Sequence, residues 1–306
     1  MISSVSSIHE GTRFRVKDYE KARVFDALIN DSGCSRKTLT KRLSIRPTTV
    51  SMVVQELIED RLVLEGELRS AGKPGRPEFT LTPNFDRCAV IVVYVESSTL
   101  HGILVNLADE IRAETWVAVN SNIRNDQFLE TCISIVTGLK EHVHSGTELL
   151  GVAISLVGPV DTRRKRWAFA ARWPNIHDLV FDALEEKTGL PMSLSRVNDA
   201  EIRYLIEERA DFRDQSVILL HWGFGIGMTY SHFGDAITSR TGEFGEIGHT
   251  KVNPESSRRC QCGGYGCLET EAALWALMPE LQAHFPEIGD SEEAHFRMLR
   301  RSEVFD

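Results

Sequence analysis

Apolar positions recur at helical spacing three times in the first sixty residues. Ala22, Phe25, Leu28 and Ile29 share one face of a helix predicted over 18–29. Ser35 is a good N-cap for a second helix, in which Leu39 and Leu43 stand one turn apart. Ser44-Ile45-Arg46 interrupts the pattern, and Pro47 opens a third helix, where its missing N–H costs nothing. Val50, Val53, Val54 and Leu57 form the apolar stripe of that helix. Strand candidates follow at 62–64 and 78–81, separated by a Gly- and Pro-rich basic stretch. Beyond Pro83-Asn84-Phe85 the period changes. Residues 88–95, 100–106 and 111–119 predict three strands in a meander, 125–144 a helix and 149–157 an apolar strand. A helix is expected from about His177 to Thr188, a short strand over 192–195 and another helix over 199–209. Strands at 216–221 and 228–232 flank the turn Gly223-Phe224-Gly225-Ile226-Gly227. Two domains result: 1–85, helical with a hairpin, and 86–306, of α/β class.

The first domain has the order of a winged helix-turn-helix, whose second helix enters the DNA major groove. The side of the third helix opposite its apolar stripe carries Thr48, Ser51, Met52 and Gln55, with Thr49 beside them; none is strongly charged. Short polar side chains suit base edges. Arg36, Lys37, Lys41, Arg42 and Arg46 flank them and suit phosphates. Lys73 and Arg76 lie on the tip of the wing, from which an Arg can enter a narrow minor groove. The competing reading is a small helical protein-interaction module with an exposed loop. Charge changes the picture modestly. Residues 1–85 hold 14 basic against 11 acidic residues, and the remainder 21 against 33, within a net charge of −9. A mildly basic head on an acidic body fits different partners for the two parts.

Composition excludes a disordered, collagenous or coiled-coil chain: 42% of residues are hydrophobic and 26% charged. No apolar run reaches membrane-spanning length and the N-terminus lacks an apolar signal core, so a cytoplasmic protein without membrane partners is expected. Three of the six cysteines crowd into eight residues, which argues for metal rather than disulfides. His249, Cys260, Cys262 and Cys267 supply a tetrahedral set for structural zinc, and the glycines at 263, 264 and 266 let the loop fold back. The alternative is a loop of free cysteines. Glu246 stands three residues before His249, whose two nitrogens can serve zinc and a ligand hydroxyl. Asn198-Asp199 sits at a strand end opening a helix. Carboxylates, an amide and an imidazole together suit a polyhydroxylated ligand. Read singly, each is an ordinary surface or cap residue.

With Glu246-x-x-His249 and Cys260-x-Cys262-Gly-x-x-Gly-Cys267-x-Glu269 assembled, the chain resembles the ROK family of repressors, open reading frames and sugar kinases. The closest likeness is to its xylose- and N-acetylglucosamine-repressor-type regulators. The resemblance implies a winged helix on a two-lobed, actin-like (ribonuclease-H-like) body. It implies zinc on His249, Cys260, Cys262 and Cys267, and sugar contacts from Asn198, Asp199, Glu246, His249 and Glu269. Operator DNA, a sugar or sugar-phosphate effector and a homodimer or higher oligomer are the partners it implies. In the family's kinases the position of Asp199 is the general base. Here the segment aligned with their first phosphate loop is Tyr94-Val95-Glu96-Ser97-Ser98-Thr99, without the acid and glycines that cradle ATP. Phe224 replaces a usual Thr in the second loop. The expectation is a sugar-responsive regulator, with Asp199 vestigial and no enzyme activity. The alternatives are a sugar kinase with a fused DNA-binding head, and a non-functional truncated product. Family repressors run longer than this chain, so the second lobe is expected to be incomplete at its C-terminus. Asn175 is an extra sugar candidate, and Arg163-Arg164-Lys165-Arg166 is either a solvated loop or a further DNA contact.

Overall fold

The computed structural model describes residues 16–69, 78–96, 98–170, 173–239 and 241–286. The chain divides into two compact units. The first comprises 1–89 together with 105–111 and 144–149, and the second holds the rest.

In the first unit, α1 (Val16–Asn30), α2 (Arg36–Leu43) and α3 (Pro47–Glu59) precede an antiparallel pair, β1 (Val63–Arg69) and β2 (Glu78–Pro83). Local chemistry sets the helix boundaries. Ser35 Oγ accepts from the Thr38 N–H at 3.3 Å and so caps α2. Ser44 ends α2 in the left-handed region, at φ 55°, and Pro47 starts α3 with its ring in the first turn. The apolar stripes meet in one core. Leu28, Leu39, Val50, Val53, Val54, Leu57 and Leu81 are fully buried there, with Phe25 and Cys34 beside them. Thr48, Ser51, Met52, Gln55 and Arg46 are exposed and Thr49 is half-buried, so the outward face of α3 is the one expected. Arg36, Lys37 and Arg42 pair with Glu65, Glu78 and Asp31. Such exposed pairs contribute little to stability, because water and salt screen them. Lys73 and Arg76 lie outside the described residues.

Most of the second unit is built around a five-stranded sheet of order β10-β6-β3-β4-β5. Its members are β3 (Cys88–Glu96), β4 (Thr99–Asn106), β5 (Ile111–Ala118), β6 (Glu148–Leu156) and β10 (Met192–Arg196), the last parallel to β6. Helix α4 (Asn125–Lys140) buries Phe128, Cys132, Ile135, Val136 and Leu139. Gly102 on β4 admits this helix: a Cβ there would come 2.2 Å from Ile135 Cγ2. A second sheet, β7 (Val160–Asp161), β8 (Arg166–Ala170) and β9 (Trp173–Val180), is anchored by aromatic rings. Trp167 and Trp173 are fully buried, with ring centroids 5.1 and 5.6 Å from Phe128. The remaining elements are α5 (Asp182–Thr188), α6 (Val197–Glu208), a three-stranded antiparallel sheet β11 (Ser216–Trp222), β12 (Ile226–His232) and β13 (Asp235–Ile237), then α7 (Leu268–Ala272) and α8 (Leu274–His284).

Two expectations are corrected here. The helix proposed from His177 to Thr188 is only α5; His177 to Val180 belong to β9. Trp173, Ile176 and Leu179 are the buried positions of that strand, and their spacing of three imitates a helical face. The strand departs from strict alternation at a register shift near Phe169/Ala170 and at Asp178, whose φ is 49°. The helix expected to reach His144 ends at Lys140. The basic run 163–166 begins in the β7–β8 turn, where Lys165 pairs with Glu185 and Arg166 with Asp178.

Candidate functional site

Four segments of the second unit converge. Strand β10 alternates buried Met192, Leu194 and Arg196, and the chain then turns directly into α6, which puts Asn198 and Asp199 in its first turn. Strand β12 starts with Ile226, Gly227 and Met228. The loop before Thr250 carries Glu246 and His249, and α7 opens with Glu269.

Arg196 is the hub. It is 97% buried, its Nη2 donates to Glu246 Oε1 at 2.7 Å, and its Nη1 donates to the Phe244 carbonyl. Nη1 also lies 3.7 Å from Asp199 Oδ1. Thr229 Oγ1 donates to the same Asp199 oxygen at 3.3 Å. Glu269, also 97% buried, accepts from the Ile226 N–H at 3.4 Å through Oε2, and the Trp275 indole N–H lies against the same carboxyl. Burial pushes the Glu246 carboxyl up to about 7, with Glu269 and Asp199 adding to the rise and Arg196 opposing it. Burial likewise raises Asp199 and Glu269.

Glycines make this convergence sterically possible. A Cβ on Gly227 would lie 2.9 Å from Asn198 Nδ2, and one on Gly248 would lie 2.4 Å from the Ile226 carbonyl oxygen. Gly245 has φ +85°, and its Met228 neighbour donates an N–H to the Gly245 carbonyl at 2.8 Å. A Cβ at 245 would stand 1.9 Å from Met228 O. Gly245→Ala combines a left-handed backbone with a backbone clash, so a stability loss of about 2 kcal/mol or more is expected. Thermal melting checks this; an unchanged midpoint contradicts the packing described.

Beside the carboxylates lies a group of metal-ligand type. The donor atoms of His249, Cys260, Cys262 and Cys267 all fall within 4.8 Å of one another. Cys260 Sγ is 3.3 Å from His249 Nδ1, and Cys262 Sγ is 3.7 Å from Cys267 Sγ. Zinc–sulfur bonds of about 2.3 Å in a tetrahedron put sulfurs about 3.8 Å apart, so the set fits such an ion. Burial lowers the His249 pKa, with Lys251 adding to the effect, which keeps the imidazole in its neutral, ligating form. His249 Nε2 faces the other way, 3.7 Å from Glu246 Oε2. Lys251 Nζ donates to Cys267 Sγ at 3.1 Å and to the Tyr265 carbonyl at 2.5 Å.

All five sequence-derived carboxylate, amide and imidazole candidates therefore border the start of β12. Asn175 does not join them by any contact described; its amide donates to the Asn122 carbonyl at 3.0 Å. Arg196, Thr229 and Lys251 were not anticipated. Arg196 had a signal: it holds the third inward position of a strand whose first two are Met and Leu. In the first hairpin, the Tyr94 hydroxyl meets His101 Nδ1, and the side chains of Glu96 and Ser97 lie outside the described residues.

Acids and a Cys/His cluster thus gather around the start of one strand of an α/β body that follows a helical unit. The sequence of that body matches the ROK family over residues 97–300, and the chain belongs to that family. It is 25% identical over 274 residues to the DNA-binding transcriptional repressor Mlc of Escherichia coli strain K12, a match covering 86% of this chain and 65% of Mlc. The chain spans about two thirds of the length of the curated relatives it matches. Its fold is similar to the crystal structure of a ROK family transcriptional regulator homologous to Escherichia coli Mlc: TM-score 0.67, 23% identity, covering 88% of this chain and 68% of that one. A ROK family glucokinase from Streptomyces griseus, solved with glucose and AMPPNP, aligns at TM-score 0.52 and 26% identity over 65% of this chain and 62% of the kinase. Among the described residues no helix is long and apolar enough to cross a membrane.

Proposed function

We propose that this chain is a DNA-binding transcriptional regulator of sugar metabolism, acting as a repressor, with residues 1–85 as a winged helix-turn-helix and 86–306 as a two-lobed, actin-like sugar-sensing body. The observation that carries the reading is the pairing of an exposed, uncharged, polar face on α3 with a buried cluster of Asp199, Glu246, Glu269 and Arg196. The relatives named as repressors support it. In this reading Arg46, Thr48, Thr49, Ser51, Met52 and Gln55 meet the major groove, and Lys73 and Arg76 reach the minor groove from the wing.

Within the body, Asn198, Asp199, Glu246, His249 and Glu269 sort the hydroxyls of a sugar. A carboxylate accepts from two hydroxyls and the amide supplies both polarities, so a wrong epimer leaves a buried group unpaired. Arg196 holds Glu246 at one rotamer and Thr229 holds Asp199. His249, Cys260, Cys262 and Cys267 would hold structural zinc, which ties the loop bearing Glu246 to the one bearing Glu269. Sugar binding that favours one arrangement of the body then shifts operator affinity by its differential affinity for the two. A homodimer matches paired half-sites. The protein works in the cytoplasm, where operator DNA and sugar meet.

The kinase alternative draws on two observations, the likeness to the glucokinase and a buried Asp199. Against it, Tyr94-Val95-Glu96-Ser97-Ser98-Thr99 offers no glycine for backbone N–H groups to approach phosphate.

Ser51→Ala with Gln55→Ala tests the DNA half. Each lost base contact costs about 1–3 kcal/mol of discrimination, so the double variant is expected to bind non-specific DNA as before and to lose at least tenfold of its preference for the operator. Anisotropy titration at fixed salt measures both. Unchanged preference removes α3 as the reader.

A further inference from the structure

The three-stranded sheet of the second unit has one open face and one open edge. Its order is β11-β12-β13, so β11 has a strand on one side, and among the described residues no strand lies on the other. Helix α6 packs on one face of this sheet, where Thr229 and Ser231 of β12 are fully buried. The opposite face carries Ile218 and Leu220 of β11, Met228 and Tyr230 of β12 and Ile237 of β13, which the register sets in cross-strand rows. Ile218 and Leu220 are 63% and 60% exposed. Single apolar residues are normal on a surface, whereas a contiguous row of them marks an interaction site.

The ladder shows which backbone groups of β11 face outward. The Phe233 N–H donates to the Gln215 carbonyl and the Gly223 N–H to the Gly225 carbonyl, both at 3.0 Å, so the odd positions of β11 bond toward β12. Met228, opposite Leu220, donates its N–H away from β11, to the Gly245 carbonyl at 2.8 Å. Bonding positions alternate along an antiparallel pair, so Ser216, Ile218, Leu220 and Trp222 aim their N–H and C=O groups at the open edge. The two most exposed apolar side chains of the strand thus sit on backbone that also faces outward. Edge strands are ordinarily guarded by charge, proline or a bulge. Here the segment from Gln215 to Gly234 contains no Asp, Glu, Lys, Arg or Pro, and the β11–β12 register is unbroken.

The same features select the partner. A net charge of −9 holds copies of this chain apart except where a surface is uncharged, as it is here. The strand is also complementary to itself. Antiparallel pairing about a two-fold axis at Leu219 sets Ile218 opposite Leu220 of the partner subunit, and Ser216 opposite Trp222 of the partner subunit. All four are outward-bonding positions, so each donor on the seam meets an acceptor, and one patch serves both copies.

We infer that two copies of this chain pair edge to edge through β11, joining their sheets into one six-stranded antiparallel sheet. This seam gives the homodimer proposed above a location. A single strand edge belongs to the small class of interface, below about 1,200 Å², so the association is weak, with a dissociation constant on the order of micromolar.

Sedimentation velocity of the full-length, metal-loaded chain at about 1–100 μM, without DNA or sugar, tests it. The sedimenting species is expected to shift from monomer to dimer across that range. Leu220→Lys places a charge on the seam twice per dimer and is expected to weaken association at least about tenfold. Because Leu220 is exposed, the melting midpoint should not change. Val180→Lys, at an exposed apolar position of β9, is expected to leave association as it is. Hydrogen exchange reads the register. The amides of Ile218 and Leu220 should gain protection as concentration rises, while those of Val217 and Leu219, already bonded to β12, should not. A monomer throughout overturns the inference, whether those two amides exchange freely or are covered by another part of the chain. A dimer that Leu220→Lys leaves intact has its interface elsewhere and overturns it as well. So does a dimer in which the 218 and 220 amides stay unprotected, since the sheets then meet face to face. Each of these failures leaves the operator and sugar readings standing.

Discussion

Arg196→Met is expected to destabilise the second unit by about 3–5 kcal/mol, the usual cost of removing one partner from a buried ion pair. The side chain of Met fills much of the volume that the Arg stem occupies, so the loss is electrostatic rather than a cavity effect. Without the guanidinium, Glu246 and Asp199 keep their burial and lose the neighbour that opposes it. The Phe244 carbonyl also loses its donor. Urea unfolding of the metal-loaded chain measures the change. A loss under about 1 kcal/mol, the range of an exposed pair, contradicts the hub role given to Arg196. The same variant should lose sugar binding even under conditions where it stays folded, because Glu246 no longer has a fixed rotamer.

The second large effect concerns the thiolates. Cys267 is fully buried and is the residue from which α7 starts. Cys267→Ser is expected to reduce the zinc content of protein purified without chelator from one per chain to none, since a hydroxyl is a poor zinc ligand beside thiolates. Structural zinc contributes about 10–16 kcal/mol of apparent binding free energy in small peptides, so its loss should loosen the segment from His249 to Cys267 and lower the melting temperature. Affinity should also fall as pH is lowered, because protons compete with the metal for thiolate and imidazole. Elemental analysis and melting curves at two pH values check both. A wild-type chain holding less than half an equivalent of zinc contradicts the metal assignment.

The residues that were legible in the sequence share a physical reason. Ser35, Pro47 and the apolar stripe of α3 act locally, through capping, ring geometry and helical period, so the first unit's three helices could be read directly. The Cys and His spacing was legible because thiolate chemistry is sparse and short-range, and the structure gathers all four donors. Strand β9 was misread because Trp173, Ile176 and Leu179 bury at every third position, which a twisted strand with an irregular register permits and a regular one does not. The β7–β8 hairpin was invisible because β7 has only two residues and Trp167 of β8 packs on Phe128, far away in sequence. Arg196 and Thr229 were missed for a related reason. Their roles depend on partners thirty to fifty residues away, Asp199 for Thr229 and Glu246 for Arg196, which no local pattern connects.

The central claim is that operator binding and sugar binding reside in one chain and are coupled. Fluorescence-anisotropy titration of the DNA upstream of the protein's own gene, at fixed salt, with and without a panel of free sugars and their phosphates, tests it most directly. Salt is held constant because phosphate contacts alone shift affinity by orders of magnitude. The account predicts tight binding that one sugar releases by at least fivefold, the lower end of ordinary coupling between two sites of about 1–3 kcal/mol. Weak, salt-sensitive binding that no sugar alters would contradict it.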